Sequence, residues 1–233
     1  TGQVPAGGEF HVNTFTLLSQ ETGKRSVAVA SEGSFVVVWD SGQTITDWDV
    51  FGQRFDASGA PRGAEFRLNM PPYDINDQRG AVVTTLDAAG AFVVVWHSAY
   101  QDNFGYAVVG RRYGADGAPA GPEFLVNTTT PNHQRTPDVA ADANGNFVVA
   151  VWNDDGGGSF NTDYAFSSDG GATWTDPEPL KFPAVSGACC DGDVDSFRAG
   201  SPFGHFGAAW LASGIWFTRS SDGGATFGSQ VQV

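Results

Sequence analysis

The chain has 233 residues, of which 41% are hydrophobic and 16% charged, with 31 Gly and 12 Pro. A net charge of −14 disfavours binding to nucleic acid or to an anionic membrane surface, because the long-range potential repels phosphate. No apolar run approaches the roughly 20 residues that a membrane-spanning helix needs, and the Gly-rich, Lys-poor composition predicts one all-β domain of short strands and tight turns.

One strand pattern recurs along the chain. Phe-Val-Val-Val-Trp at residues 35–39 returns at 92–96, at 147–152 with one residue more, and loosely at 206–210, and its tryptophans are 57, 56 and 58 residues apart. Such a spacing is typical of repeat architectures. Alternating polarity and turn residues predict further strands around each copy. In chain order the predicted strands are residues 26–30, 35–39, 49–55, 65–69, 81–86, 92–96, 106–113, 123–127, 138–141, 147–152, 163–166, 193–197, 205–211, 215–219 and 226–233.

Four repeats of up to four strands predict a β-propeller, in which radial repetition leaves only short, protected edges. The predicted blades are residues 26–69, 81–127, 137–180 and 193–233, and residues 1–13 hold a surplus outer strand. A complete four-bladed ring is the first prediction. Alternatively, the surplus strand docks elsewhere, belongs to a preceding blade of a larger propeller, or reaches into a second molecule to form a homodimer.

Two hairpins carry a family resemblance. Ser167-Ser168-Asp169-Gly170-Gly171-Ala172-Thr173-Trp174 resembles the Asp-box (BNR repeat) of sialidase-type β-propellers, and residues 220–227 repeat it with Phe in place of Trp. Degenerate versions at 56–61 and 114–119 resemble bacterial secreted propeller-repeat proteins. The resemblance implies a structural role for the following residues, on the side away from a ligand: Ser167, Asp169, Gly171, Thr173, Trp174, Ser220, Asp222, Gly224, Thr226 and Phe227.

The long loops all fall on one predicted face, where function is expected. They are residues 14–24, 40–47, 70–78, 97–105, 128–134, 153–162 and 181–192. Aligning the repeats places Arg25, Arg79 and Arg135 at one position before each inner strand. Three guanidinium groups there would bind a carboxylate or sulfate through paired hydrogen bonds. Sialidases use an arginine triad in this way. The alternative is that each Arg pairs with an Asp or a carbonyl of a neighbouring repeat.

Other loop residues are candidates for contacts with a ligand. His97 and His133 are candidates for proton transfer, and Trp48, Tyr73, Tyr100 and Phe104 for stacking on a sugar. In repeat four, Cys189 and Cys190 take the places of Gln134 and Arg135, as a strained vicinal disulfide or as two free thiols. Asp191, Asp193 and Asp195 alternate like a calcium loop but lack its Gly and distal Glu, so no cofactor is required and calcium is the only candidate ion.

Three hypotheses for function follow. The first is a secreted or periplasmic, non-catalytic propeller that binds a glycan or another anionic small ligand at the arginine-lined face. The second is a polysaccharide-processing hydrolase or lyase with His133, His97 and Tyr73 or Tyr100 as its acid and base. The third is a structural or assembly module. Because no Tyr, Glu and Asp can be assigned as a sialidase would need, the sequence favours binding over catalysis.

Overall fold

In a computed structural model of the protein, the described residues are 8–42, 47–71, 76–85, 87–128, 131–142, 146–154, 160–169, 173–175, 178–179, 192–196, 205–211, 215–222, 225–229 and 231–232. They form strands, turns and irregular segments but no helix, as the composition predicts. Accordingly, none of the described residues belongs to a helix long and apolar enough to cross a membrane.

The strands form four antiparallel sheets, numbered here in chain order. The first sheet contains β1 (Gln20–Glu21), β2 (Val27–Val29), β3 (Phe35–Ser41), β4 (Asp49–Phe55) and β5 (Phe66–Arg67). The second contains β6 (Gln78–Thr85), β7 (Phe92–Ala99), β8 (Tyr106–Tyr113) and β9 (Phe124–Leu125). The third contains β10 (His133–Ala141), β11 (Phe147–Asp154), β12 (Phe160–Ser167) and β13 (Glu178–Pro179). The fourth contains β14 (Gly192–Ser196), β15 (Phe206–Leu211), β16 (Ile215–Ser220) and β17 (Val231–Gln232).

In each sheet the strands are adjacent in chain order, and the first is called the inner strand and the last the outer strand. In the first sheet β1 and β2 both pair with β3 and share the inner position. Strand contacts join the first sheet to the second, the second to the third and the third to the fourth. Among the described residues, the fourth sheet makes no comparable contact with the first. In the described part of the chain the four sheets do not close into a ring, and the predicted four-bladed closure is not confirmed.

The apolar faces of neighbouring sheets bury each other. Leu68 of the first sheet packs with Val94, Trp96 and Tyr113 of the second, and all four side chains are at most 2% exposed. The Tyr113 hydroxyl donates to the Leu68 carbonyl at 2.8 Å, so its polar end is satisfied within this interface. The second strands β3 and β7 are apolar on both sides, and the side chains of residues 36–39 and 92–96 are buried on both faces.

Aspartate side chains stabilise the tight turns that follow the third strands, β12 and β16. The Asp169 carboxylate accepts from the Thr173 amide at 2.8 Å and from its hydroxyl at 2.6 Å. Asp222 holds Thr226 in the same way. Such side-chain acceptors replace backbone partners in a turn. The aromatic residues after these turns pack on the preceding sheet, with Trp174 5.3 Å from Phe124 and Phe227 4.7 Å from Tyr164 between ring centroids. Gly171 and Gly224 lie outside the described residues.

The structure differs from the predicted repeat in two details, one of register and one of strand assignment. Trp152 pairs with Arg135, whereas in the second sheet the partner of the equivalent Arg79 is His97, so Trp152 stands one position beyond Trp96. The cause is the extra residue between Phe147 and Trp152. Residues 8–19 form no strand, so the described residues do not form the surplus outer strand that the sequence predicts within residues 1–13.

Candidate functional site

The long loops leave one common edge of the sheets, and the polar strand ends meet there. Three cross-strand pairs occupy equivalent positions at this edge: Glu21 with Asp40, Arg79 with His97, and Arg135 with Trp152. The alignment that placed Arg25 beside Arg79 and Arg135 is therefore displaced, and Glu21 holds the equivalent position in the first sheet. The displacement arises because β1 and β2 are separated by residues 22–26.

Arg79 lies over an aromatic ring at this edge. Its guanidinium carbon is 4.1 Å from the centroid of the Trp48 ring, and its Nη2 is 3.8 Å from Oδ2 of Asp77. About a third of the Arg79 side chain remains exposed. Stacking on an indole holds a guanidinium in place while its N–H groups point outward along the ring plane. Arg79 is thus oriented and still accessible to a ligand.

Arg135 repeats this arrangement one sheet further on. Its guanidinium carbon is 4.5 Å from the centroid of the Tyr106 ring, and its buried Nε has no hydrogen-bond partner. Tyr106 also contacts both predicted histidines, with ring centroids 5.2 Å from His97 and 5.7 Å from His133. The Tyr106 amide donates to Nδ1 of His133 at 3.2 Å. Residues from β7, β8 and β10 therefore converge on one point.

His97 occupies the centre of this group. Its Nδ1 is buried and has no hydrogen-bond partner. Burial, together with the positive charges of Arg135 and Arg79, lowers the pKa of His97 to about 4. The imidazole is consequently neutral at physiological pH, with a free basic nitrogen or an N–H according to its tautomer.

A bulge in β6 brings the imidazole close to the backbone. The register of β6 against β7 shifts between Arg79 and Val82, and Gly80 in this bulge has a φ of +68°. A Cβ at Gly80 would lie 2.8 Å from Nδ1 of His97, so only glycine fits without displacing the ring. Bulges of this kind re-aim neighbouring side chains and are common beside functional sites.

Asp40 of the first sheet holds the same bulge from its other side. Its carboxylate accepts from the Gly80 amide at 2.7 Å and from the Ala81 amide at 3.2 Å. Burial raises the pKa of Asp40 to about 6, in spite of these two hydrogen bonds. The backbone that carries Arg79 is therefore fixed by a buried acid of the neighbouring sheet.

The structure brings together five of the predicted residues and separates two others. Arg79, Arg135, His97, His133 and Trp48 lie at the shared edge. Arg25 instead forms an ion pair with Asp138 of the third sheet, at 2.9 Å between Nε and Oδ1. Tyr100 is 66% exposed in a turn of its own, with a φ of 59°.

The remaining predicted residues cannot be placed in the site. Tyr73, Cys189, Cys190 and Asp191 lie outside the described residues, and Asp193 and Asp195 are located only by the backbone of β14. Within the described part of the chain, no three His, Cys, Asp or Glu side chains converge to hold a metal ion.

Sequence reasoning missed Tyr106 and Asp40. Asp40 follows the repeated Trp39 as His97 follows Trp96, so the repeat itself marks the position. Nothing in the sequence marks Tyr106, because its role depends on β8 lying against the start of β10 in the next sheet.

Comparison with known proteins places the fold. The sequence matches no family model and no curated protein. Among solved structures, it is similar to a Hadza microbial sialidase, with 13% identity, a TM-score of 0.62, and 91% of this chain and 46% of that one covered. It is also similar to the leech intramolecular trans-sialidase, with 10% identity, a TM-score of 0.62 and 99% and 53% covered. A third similar structure is the Penicillium chrysogenum α-L-arabinanase, with 15% identity, a TM-score of 0.58 and 93% and 65% covered.

These likenesses, all under 25% identity, establish the fold as propeller-type and all-β. The chain spans about half the length of the two sialidases and about two thirds of the arabinanase.

Proposed function

We propose that the protein is a carbohydrate-binding propeller that recognises the carboxylate or sulfate groups of an acidic glycan at the edge formed by Arg79 and Arg135. The single observation that carries this proposal is the repeated pairing of an arginine with an aromatic ring, Arg79 on Trp48 and Arg135 on Tyr106. The two pairs occupy equivalent positions in neighbouring sheets. A chain of acidic sugars presents anions at regular intervals, and two oriented guanidinium groups suit such a ligand.

Electrostatics favour a local contact over a general attraction to polyanions. The net charge of −14 repels an anionic polymer at long range. At short range, guanidinium groups with free N–H donors form paired, charge-assisted hydrogen bonds with carboxylate or sulfate. About a third of the Arg79 side chain is exposed, so its guanidinium can present such donors to a ligand. Binding is therefore expected to be specific and to depend less on salt than binding to a basic surface would.

Calorimetric titration with acidic and neutral oligosaccharides tests the proposal. Arg79→Gln and Arg135→Gln should each weaken binding of an acidic oligosaccharide about 10- to 100-fold, which corresponds to one lost charge-assisted contact. Arg62→Gln is the matched control, because Arg62 is exposed in the tight turn after β4 at the opposite edge. Equal losses in all three variants, or no binding by the unchanged protein, would contradict the proposal. Titrations with EDTA and with added calcium test whether any ion is needed.

His97 supports a second candidate, in which the protein processes acidic polysaccharide as a hydrolase or lyase. Its Nδ1 is unpartnered, and burial together with the positive charges of Arg135 and Arg79 keeps the imidazole neutral. A neutral imidazole beside guanidinium groups that neutralise a sugar carboxylate is suited to removing the neighbouring proton. Binding alone does not require this group.

Turnover assays separate the two candidates. An enzyme should lose turnover in His97→Gln while it still binds the polysaccharide. The acid limb of its pH profile should lie near pH 4, below the ordinary histidine range. His11→Gln, which changes an exposed histidine outside the site, should have no effect. Binding without turnover for every acidic polysaccharide supports the first candidate. Absence of both supports a structural or assembly role.

We further propose that the four sheets are blades of an Asp-box propeller. The turns held by Asp169 and Asp222, and the packing of Trp174 on the preceding sheet, support this assignment. The same family resemblance supports secretion to the cell exterior or the periplasm. Fractionation of a culture that produces the protein tests the location.

A further inference from the structure

Residues 9–14 contact the first sheet as the outer strand of one sheet contacts the next. Phe10 lies 5.4 Å from Phe55 with an interplanar angle of 55°. Phe66, in the outer strand of the first sheet, lies 5.9 Å from Tyr113 of the second, also at 55°. Val12 packs against the apolar cluster of the first sheet, as Leu68 packs against that of the second.

The polar contacts of the segment repeat as well. Glu65 of the first sheet accepts from the Thr14 amide at 2.7 Å, directly after residues 9–13. Glu123 of the second sheet accepts from the Met70 amide at 2.8 Å, directly after the outer strand of the first. The two glutamates hold equivalent places before β5 and β9. The segment is therefore positioned by the contacts that position a true outer strand.

A third contact involves the asparagine that ends each outer strand. Asn13 donates to Oε1 of Gln20 at 3.0 Å, as Asn127 donates to Oε1 of Gln134 at 3.2 Å. Within the second sheet, the other side-chain atom of Asn127, its Oδ1, accepts from the Val108 amide of β8. Residues 9–13 therefore make the contacts of an outer strand with the sheet that follows. Residues 8–19 are nevertheless not paired as a strand with any described strand.

The inner end of the first sheet is open at the same side. Val27 is 53% exposed, whereas its register equivalents Val83 and Val139 are 3% and 0% exposed. Val29 is also 53% exposed, and its equivalent Ala141 is fully buried. In the second and third sheets these positions are covered by the preceding sheet. Two adjacent apolar side chains are thus left uncovered at the start of the array.

We propose that a further four-stranded sheet of the same polypeptide, encoded upstream of residue 1, covers this face of the first sheet and takes residues 9–13 as its outer strand. Its third strand pairs with residues 9–13, and its inner strand covers Val27 and Val29. Elsewhere the chain passes directly from the outer strand of one sheet to the inner strand of the next, as from β5 to β6 and from β9 to β10. Residues 9–13 followed by β1 and β2 continue this order.

A sheet from a second copy fits less well. The fourth sheet already has β17 paired with β16 in the outer position, so residues 9–13 of another copy would find that position filled. This chain matches only 46% and 53% of the length of the two sialidases. Additional sheets in a longer polypeptide agree with that partial match. The proposal does not depend on the glycan site, which lies at the edge between the second and third sheets.

Thiol labelling tests the proposal on two proteins, the full polypeptide from its own start codon and residues 1–233. In a background with Cys189→Ser and Cys190→Ser, Val29→Cys should be labelled at least tenfold more slowly in the full polypeptide. Val231→Cys is the matched control, since Val231 is 59% exposed in the fourth sheet, and it should react equally in both. The chain of residues 1–233 should sediment as a monomer.

Three results would overturn the proposal. One is a reading frame that adds too few residues upstream for three strands. Another is equal labelling of Val29→Cys in the two proteins. The third is a dimer of residues 1–233 that Val27→Asp dissociates, because the covering sheet would then come from a second copy.

Discussion

Two buried groups on either side of Gly80 should give the folding stability opposite dependences on pH. The pKa of Asp40 is raised from 3.8 to about 6, so between pH 4 and 6 the folded state binds a proton there that the unfolded state has lost. Stability from Asp40 is therefore present below pH 4 and is lost as the pH rises towards 6. The pKa of His97 is lowered from 6.5 to about 4, so in the same range the unfolded state binds the proton and the folded state does not. Stability from His97 therefore rises with pH.

The magnitude follows from the linkage relation. One proton of difference changes the free energy of unfolding by about 1.4 kcal/mol per pH unit. Over two pH units the limit is nearly 3 kcal/mol for each group, and relaxation of the protein around the charged form reduces this to about 1–2 kcal/mol. In the unchanged protein the two slopes largely cancel. Each substitution should therefore reveal the slope of the group that remains.

Urea unfolding followed by tryptophan fluorescence at pH 4, 5 and 6 measures this directly. Asp40→Asn should make the free energy of unfolding rise by about 1–2 kcal/mol from pH 4 to 6, relative to the unchanged protein. His97→Gln should make it fall by a similar amount, and the double variant should restore a shallow dependence. If Asp40→Asn leaves the dependence of the free energy of unfolding on pH as it was, Asp40 does not carry a raised pKa.

Two further predictions concern packing around the same strands. Trp96→Phe should cost about 1–3 kcal/mol more than Trp39→Phe, because the Trp96 Nε1 donates to buried Gln78 at 2.7 Å whereas Nε1 of Trp39 has no partner; equal losses in urea unfolding would contradict this. Gly80→Ala should weaken oligosaccharide binding and lower the melting temperature, because the new Cβ would lie 2.8 Å from Nδ1 of His97. An unchanged melting temperature would contradict this, since it would show that the backbone of the bulge accommodates the methyl group.

The repeat allowed strands and turns to be predicted from the sequence, but not the register between them. Alternating valines and Gly-containing turns predict β2, β3 and β4 of the first sheet closely. The register at the site depends on the bulge at Gly80 and on the split between β1 and β2, which shift the pairing with the second strand by one residue and by three. A count made from tryptophans cannot detect either, since both leave the spacing of the second strands unchanged.

The site itself could be predicted only in part. Arg79 and Arg135 precede buried strands, and the long loops mark the correct edge. Their orientation depends on rings from other elements, Trp48 of the first sheet and Tyr106 of the second. Arg25 looks the same in sequence, yet it lies four residues beyond Glu21, where Asp138 of the third sheet is within reach. Contacts between sheets, which no local pattern encodes, decide which arginine is paired and which is accessible.

The equivalent edge positions of the first three sheets differ in charge, and this explains why the second and third sheets are suited to an anion and the first is not. In the first sheet both positions of the cross-strand pair are acidic, Glu21 and Asp40, so a carboxylate or sulfate would be repelled there. In the second sheet the pair is Arg79 with a neutral His97, and in the third Arg135 stands at the same place. Among these three described pairs, positive charge therefore lies at the junction of the second and third sheets. The scaffold repeats, and substitution at two positions per sheet locates the site.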